Sequence, residues 1–152
     1  MDDDTLVKRL RRFYVLEAYQ VDLYKSQLTS LEDPHIQHVF ERFMVREQEH
    51  MDYLEQQLKE MGTGVGIAGP PFKLAGMVTG KALDLLSLKD RYKLGIAVEQ
   101  KAIQMYHEFI ETARNDPRLS DLSKYLAYFM VDEETHQFWF KEHLSRLEDT
   151  RA

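Results

Sequence analysis

The sequence contains no cysteine, which excludes disulfides, thiolate metal sites, cysteine nucleophiles and Cys₄ rubredoxin or iron–sulfur modules from this chain. It also lacks any long hydrophobic run: no stretch approaches the ~18 uncharged apolar residues of a membrane span. It opens Met1-Asp2-Asp3-Asp4, without the basic start or apolar core of a secretory signal. Basic residues are outnumbered, 20 Lys and Arg against 26 Asp and Glu, for a formal net charge of −6. With no basic run, nucleic acid is not an expected partner. These absences leave an expectation of a cytoplasmic domain, its 152 residues enough for one hydrophobic core but short for two.

Helix breakers are scarce except in one place. Six of the seven glycines and two of the four prolines fall between residues 62 and 80. The rest is rich in Leu, Glu, Lys, Gln and Met, all good helix formers. It divides into four predicted helices, about 5–29, 34–61, 90–114 and 118–147, joined in the middle by a crossover at 62–89. Capping chemistry agrees. Asp2 to Asp4 place negative charge at the first helix start, and Asp33-Pro34 reads as an N-cap followed by proline at the first helical position. Ser87-Leu-Lys-Asp90 resembles a capping box, and Asn115-Asp116-Pro117 is a turn between the third and fourth helices.

Each helix carries an apolar seam at steps of three and four. The seams run Leu6, Leu10, Phe13, Glu17, Val21, Tyr24, Leu28; Ile36, Phe40, Phe43, Glu47, His50, Leu54, Leu58; Tyr92, Ile96, Glu99, Ile103, Tyr106, Ile110, Ala113; and Leu122, Leu126, Phe129, Glu133, His136, Phe140, Leu144. Such seams are the core faces of an antiparallel four-helix bundle, so the predicted fold class is all-α.

Every seam is interrupted near its middle by Glu, and the second and fourth also by His one turn later. An isolated buried carboxylate costs several kcal/mol unless something pairs with it. Two divalent cations would balance four carboxylates, with two neutral imidazoles completing the shell. One Glu from each of two helices, plus Glu-x-x-His from the other two, is the ligand pattern of di-iron and di-manganese bundles. Glu-x-x-His alone is weak, because chance supplies about half a match in a chain with 14 Glu and 6 His. A decoy, Glu32-Asp-Pro-His35, straddles a turn and cannot form one helical face. Position separates the others from it. Glu17 and Glu47 are equidistant from residue 32, and Glu99 and Glu133 from residue 116, so in antiparallel hairpins all four can meet in one layer. The candidate metal ligands are therefore Glu17, Glu47, His50, Glu99, Glu133 and His136.

The two halves repeat. Leu16-Glu17 with Tyr24 seven residues after the Glu is matched by Val98-Glu99 with Tyr106, and Glu47-x-x-His50 with Tyr53 by Glu133-x-x-His136 with Trp139. Tyr24 and Tyr106 would hydrogen-bond a ligand carboxylate or pass an electron; ordinary core tyrosines are the alternative. His107 and His143 have no partner pattern and read as partly exposed, and His35 and His38 as surface residues. The crossover suits the long connection of ferritin-like bundles, with a short apolar helix after Pro71. It either covers the bundle flank or forms an oily entrance that touches a membrane surface through residues 70–88, with Leu74, Met77, Val78, Leu83 and Leu85 supplying the oily surface and Gly62, Gly64, Gly66 and Gly69 the hinge.

At these residues the chain resembles the demethoxyubiquinone hydroxylases, the Coq7-like members of the ferritin-like superfamily. The resemblance rests on Glu17 with Tyr24 and Gln27, Pro34-x-Ile36-Gln37, Glu47-Gln-Glu-His50, the Pro70-Pro71 and Gly76/Gly80 crossover, Ala97-Val98-Glu99 with Tyr106, and Asp132-Glu133-Glu134-Thr-His136. The family's ligands map onto the same six residues. Rubrerythrins are more distantly similar, but they carry an extra Glu where this chain has Ala102. Leu16, Tyr19 and Met105 depart from the family's usual small residues and His, beside the ligands rather than at them, which leaves the substrate open.

The resemblance implies a di-iron monooxygenase, with Mn²⁺ as an alternative metal, that activates O₂ and hydroxylates a quinone-type ring bearing a polyprenyl tail. It also implies an external electron donor and a place in the cytoplasm or at the inner face of the membrane. A homo-oligomer is compatible with it. Two rivals use the same ligands: a rubrerythrin-like peroxidase or O₂ scavenger, and a ferritin-like iron-binding protein.

Overall fold

The computed structural model describes residues 1–66 and 80–149. Among the described residues there are four α-helices, two short 3₁₀ turns and no strand. The chain divides into two compact units, Met1–Leu85 and Leu86–Ala152.

The first unit is a helical hairpin of α1 (Asp3–Gln27) and α2 (Pro34–Glu60). Asp2 caps α1 by accepting from the Thr5 backbone N–H at 2.8 Å and from its hydroxyl at 2.9 Å. Asp33 caps α2 by accepting from the His35 backbone N–H, with Pro34 in the first turn where its missing N–H costs nothing. Gln37 closes the intervening turn, its amide nitrogen donating to the Leu31 carbonyl. α2 ends in a Schellman motif. The N–H of Thr63 donates to Leu58 O at 3.0 Å, that of Gly62 to Lys59 O at 2.9 Å, and Gly62 takes the left-handed φ of 72° that glycine tolerates best.

The first residues of the crossover are tied back to α1 by one side chain. Arg11 donates from Nε to Gly64 O at 3.0 Å and from Nη2 to Thr63 Oγ1 at 2.8 Å. Gly62 and Gly64, expected as hinges, thus serve a helix end and a clamp. The 3₁₀ turn Gly80–Leu85 packs on α1. Its Leu83, expected on an oily surface, is buried there, while Leu85 is 88% exposed. The remaining features expected of the crossover, from Gly69 and Pro70-Pro71 through Leu74, Gly76, Met77 and Val78, lie outside the described residues.

The second unit pairs α3 (Leu88–Ala113) with α4 (Ser120–Asp149). Ser87 caps α3: the Asp90 N–H donates to Ser87 Oγ, and the Ser87 hydroxyl in turn donates to the Asp90 carboxylate at 2.7 Å. A 3₁₀ turn at Pro117–Leu119, capped by Asp116, precedes α4, so α4 starts two residues later than its pattern suggests. Gly95 brings the helices together: a Cβ there would stand 2.6 Å from the Phe140 ring.

Buried positions match the α2 seam residue for residue. On α1 and α3 the stripe is wider and lies to one side. Leu16, Leu23, Gly95, Val98, Ala102, Met105 and Phe109 are buried, while Val21, Leu28, Ile96, Ile103 and Ile110 are half-buried. No helix among the described residues is long and apolar enough to cross a membrane.

Candidate metal centre

In the first unit, Glu17 projects from the middle of α1 and Glu47 and His50 from one face of α2, one turn apart. His50 Nδ1 stands 3.1 Å from Glu47 Oε2 and 3.4 Å from Glu17 Oε2. One donor atom from each of the three lies within 4.8 Å of the others. Both carboxylates are fully buried and the imidazole nearly so.

The second unit repeats the arrangement. Glu99 comes from α3, and Glu133 and His136 come from α4. Their donor atoms also fall within 4.8 Å of one another, with His136 Nδ1 3.9 Å from Glu99 Oε2. Glu99 and Glu133 are fully buried and His136 is buried. Each hairpin therefore buries two acidic side chains against one imidazole, which cannot neutralise both. Carboxylate oxygens and neutral imidazole suit a divalent cation such as iron, and one such ion in a hairpin would cancel the charge of its two carboxylates. The donor set fits iron.

Tyr24 and Tyr106 are fully buried. Tyr24 meets Phe40 and Phe43 edge-on, with centroids 5.6 and 5.7 Å away, and Tyr106 meets Phe129 likewise at 6.1 Å. Phe43 and Phe129 each precede their Glu-x-x-His by four residues, a further element of the repeat. The exposed decoy pair Glu32 and His35 sits at the first turn. His38 is a surface residue 3.7 Å from Glu41, and His107 is exposed. His143 does have partners: its ring stacks on Trp139 with centroids 3.8 Å apart, and its Nδ1 lies 2.8 Å from the Trp139 carbonyl.

Two polar residues near the candidate ligands escape sequence reasoning. Gln20 is fully buried one turn after Glu17, where its counterpart after Glu99 is Ala102. Gln137, next to His136, donates to Ile96 O at 3.3 Å and Gln100 Oε1 at 3.0 Å, and accepts from Lys141 at 2.7 Å. It pins α4 to α3 at the height of Glu99.

Residues 14–147 match the family described as ubiquinone biosynthesis protein COQ7. The chain belongs to this family. As a COQ7-family protein it is an enzyme of the di-iron oxidoreductase class. No curated protein sequence shows a significant match to it. Among solved structures, the COQ7-family chain is similar to a ferritin-like, diiron-carboxylate protein from Bacillus anthracis str. Ames. The identity is 22% and the TM-score 0.71, with 97% of this chain and 99% of that one covered. It is also similar to the bacterioferritin of Desulfovibrio desulfuricans, whose structure is described as showing the diiron site in different catalytic states. There the identity is 15% and the TM-score 0.80, over 96% of this chain and 81% of the other. At these identities the likeness speaks to the fold, which is ferritin-like and all-α.

Proposed function

We propose that Glu17, Glu47 and His50 in the first unit and Glu99, Glu133 and His136 in the second are the ligands of two iron ions, and that the enzyme hydroxylates a quinone-type aromatic ring. Manganese is the alternative occupant. The observation that carries this reading is the duplicated buried triplet, two carboxylates and an imidazole in each hairpin, in a chain of the COQ7 family.

When bound, the iron pair supplies O₂ activation: one oxygen atom enters the ring, the other leaves as water, and an external donor provides two electrons. The protein's own residues do the rest. The four carboxylates supply compensating charge, and their burial keeps bulk water from the reacting centre. His50 and His136 are each set by the helical turn that joins them to Glu47 and Glu133. Tyr24 and Tyr106 are wedged against phenylalanines on the same helical faces, where a phenol would orient a carboxylate or relay an electron. A polyprenyl-tailed substrate resides in membranes, so the enzyme would work in the cytoplasm against the inner face. Within 70–88, Leu85 is a large apolar residue among those described that stands exposed for such a contact.

The test is a single-turnover reaction of the iron-loaded chain with isotopically labelled O₂, a chemical reductant and a short-tailed demethoxylated quinone. Label in the ring hydroxyl is the expected result. Full iron occupancy with no label in the quinone overturns the proposal, and peroxide turnover under those conditions assigns the protein to the peroxidases.

A further inference from the structure

The inner face of α4 is occupied: Leu126, Phe129, Glu133, His136 and Phe140 are all buried. The outer face of such a helix is ordinarily polar. Here it carries Lys124, Tyr128, Val131, Thr135, Phe138 and Glu142, all exposed and separated by steps of four, three, four, three and four. That is the spacing of a coiled-coil seam, which keeps its residues on one line along the helix. Tyr128, Val131 and Phe138 are 69%, 53% and 64% exposed. Single exposed apolar residues are ordinary, but a periodic row on one helix is not. The Thr135 hydroxyl in its midst is already bonded to the Val131 carbonyl at 2.9 Å.

The row is also self-complementary. Lys124 and Glu142, Tyr128 and Phe138, and Val131 and Thr135 are each equidistant from residue 133. A two-fold axis across the helix at that height would lay Lys124, whose ammonium also pairs with Asp121 of its own helix at 3.1 Å, against the partner's Glu142, Tyr128 against the partner's Phe138, and Val131 against the partner's Thr135. A parallel pairing would instead set lysine on lysine and glutamate on glutamate. The charges therefore choose the antiparallel arrangement.

We propose that this face of α4 docks a second copy of the chain in an antiparallel, two-fold arrangement. A second copy fits better than an anionic membrane, because Asp121, Asp132, Glu134 and Glu142 lie along or beside the row in a chain of net charge −6. The interface lies on the face of α4 away from Glu133, so it does not require that residue. From Lys124 to Glu142 the seam is about 27 Å long at ~1.5 Å per residue. A single helix pair of that length falls near or below the ~1,000 Å² of a stable interface, so the dimer forms reversibly at tens of micromolar, to order of magnitude. Asp132 and Glu134 flank the axis and face their own mates, which also limits the affinity.

Sedimentation equilibrium of the full chain from low micromolar to near-millimolar concentration tests this. The wild type is expected to pass from monomer to dimer. Lys124→Glu alone and Glu142→Lys alone should each weaken dimerisation about tenfold or more, since each creates two like-charge contacts. The double variant Lys124→Glu/Glu142→Lys should restore it to near the wild-type value. Phe138→Lys should abolish it. Helical circular dichroism accompanies each variant, and the two charge positions, at the exposed ends of the row, keep the test independent of whether Phe138→Lys folds. A wild type that stays monomeric overturns the proposal. So does association indifferent to the single reversals, or a folded double variant that fails to recover. A monomer that floats with anionic vesicles and loses this on Phe138→Lys makes the row a lipid contact instead, and equally overturns it.

Discussion

Gly95 of α3 and Phe140 of α4 are in closer contact than any other residue at position 95 would allow, since a Cβ there would fall 2.6 Å from the ring's Cε2 atom. Both residues are buried, so the ring has little room to withdraw. Gly95→Ala gains roughly 1 kcal/mol of helix propensity and loses about 1–3 kcal/mol to overpacking. The expected net result is destabilisation, visible as a lower midpoint in urea with an unchanged slope. A midpoint that rises would mean that Phe140 yields easily.

Metal should stabilise the folded chain. The unfolded chain cannot assemble either buried triplet, so an ion that binds only the native state adds about 2.7 kcal/mol when present at a hundredfold excess over its Kd. Thermal melts with Fe²⁺ under anaerobic conditions, with Mn²⁺, and with chelator should separate. Superimposable melts would remove the case for a metal.

Substitution should distinguish the triplets from the decoy. Glu99→Ala or Glu133→Ala should lower bound iron to one ion per chain or none, measured by elemental analysis, and remove any O₂-dependent optical change. Glu32→Ala and His35→Ala, at the exposed turn, should leave occupancy at the wild-type level. Equal losses from both sets would show that the ligands are misassigned.

Acid should weaken the caps. The Asp116 carboxylate is held well below the usual range, chiefly by hydrogen bonds from the Arg118 guanidinium, and Asp2 is lowered by the Thr5 backbone N–H and then by its hydroxyl. In the unfolded chain both titrate near 3.8. A depressed folded-state pKa gives stability that is present above the unfolded value and lost as pH falls toward the folded one. Stability contributed by these two groups should therefore hold above about pH 4 and decline below it. Asp2→Asn with Asp116→Asn should flatten that acid limb in denaturation midpoints taken from pH 5 to pH 2. A limb as steep as the wild type's would place the titrating groups elsewhere.

What the sequence made legible depended on how loudly each residue type speaks. α2 could be read to the residue because its inward face is nearly all large and apolar, with Glu47 and His50 conspicuous between Phe43 and Leu54. On α3 the isoleucines at 96, 103 and 110 drew the seam toward one margin of the buried stripe. Its centre includes Gly95 and Ala102, small residues that carry almost no hydrophobic signal although Gly95 marks a close approach between helices. Gln20, Gln27 and Gln137 are buried amides, and nothing in a polar residue's identity says that a backbone carbonyl awaits it: Leu23 for Gln27, Ile96 for Gln137. The nearness of Glu17 to His50 and of Glu99 to His136 was readable because distance from a turn fixes height in a hairpin. The clamp from Arg11 to Thr63 and Gly64 was not, since it joins residues more than fifty positions apart without any period.

The confinement of each triplet to one hairpin bears on how the protein acquires its native state. Glu17 and His50 are 33 residues apart, and their encounter requires only that the turn at Asp33 close. Contacts of such modest sequence separation are reached early, because the entropy of closing a loop grows with its length and low contact order speeds folding. The α3–α4 triplet likewise needs only the turn at Asp116. Each set of three donors is therefore expected to form with its own hairpin, independently in time, so that cation capture by a half-folded chain competes with completion of the fold. Refolding rates measured with and without metal should then differ, and the order of addition should matter more than the final concentration.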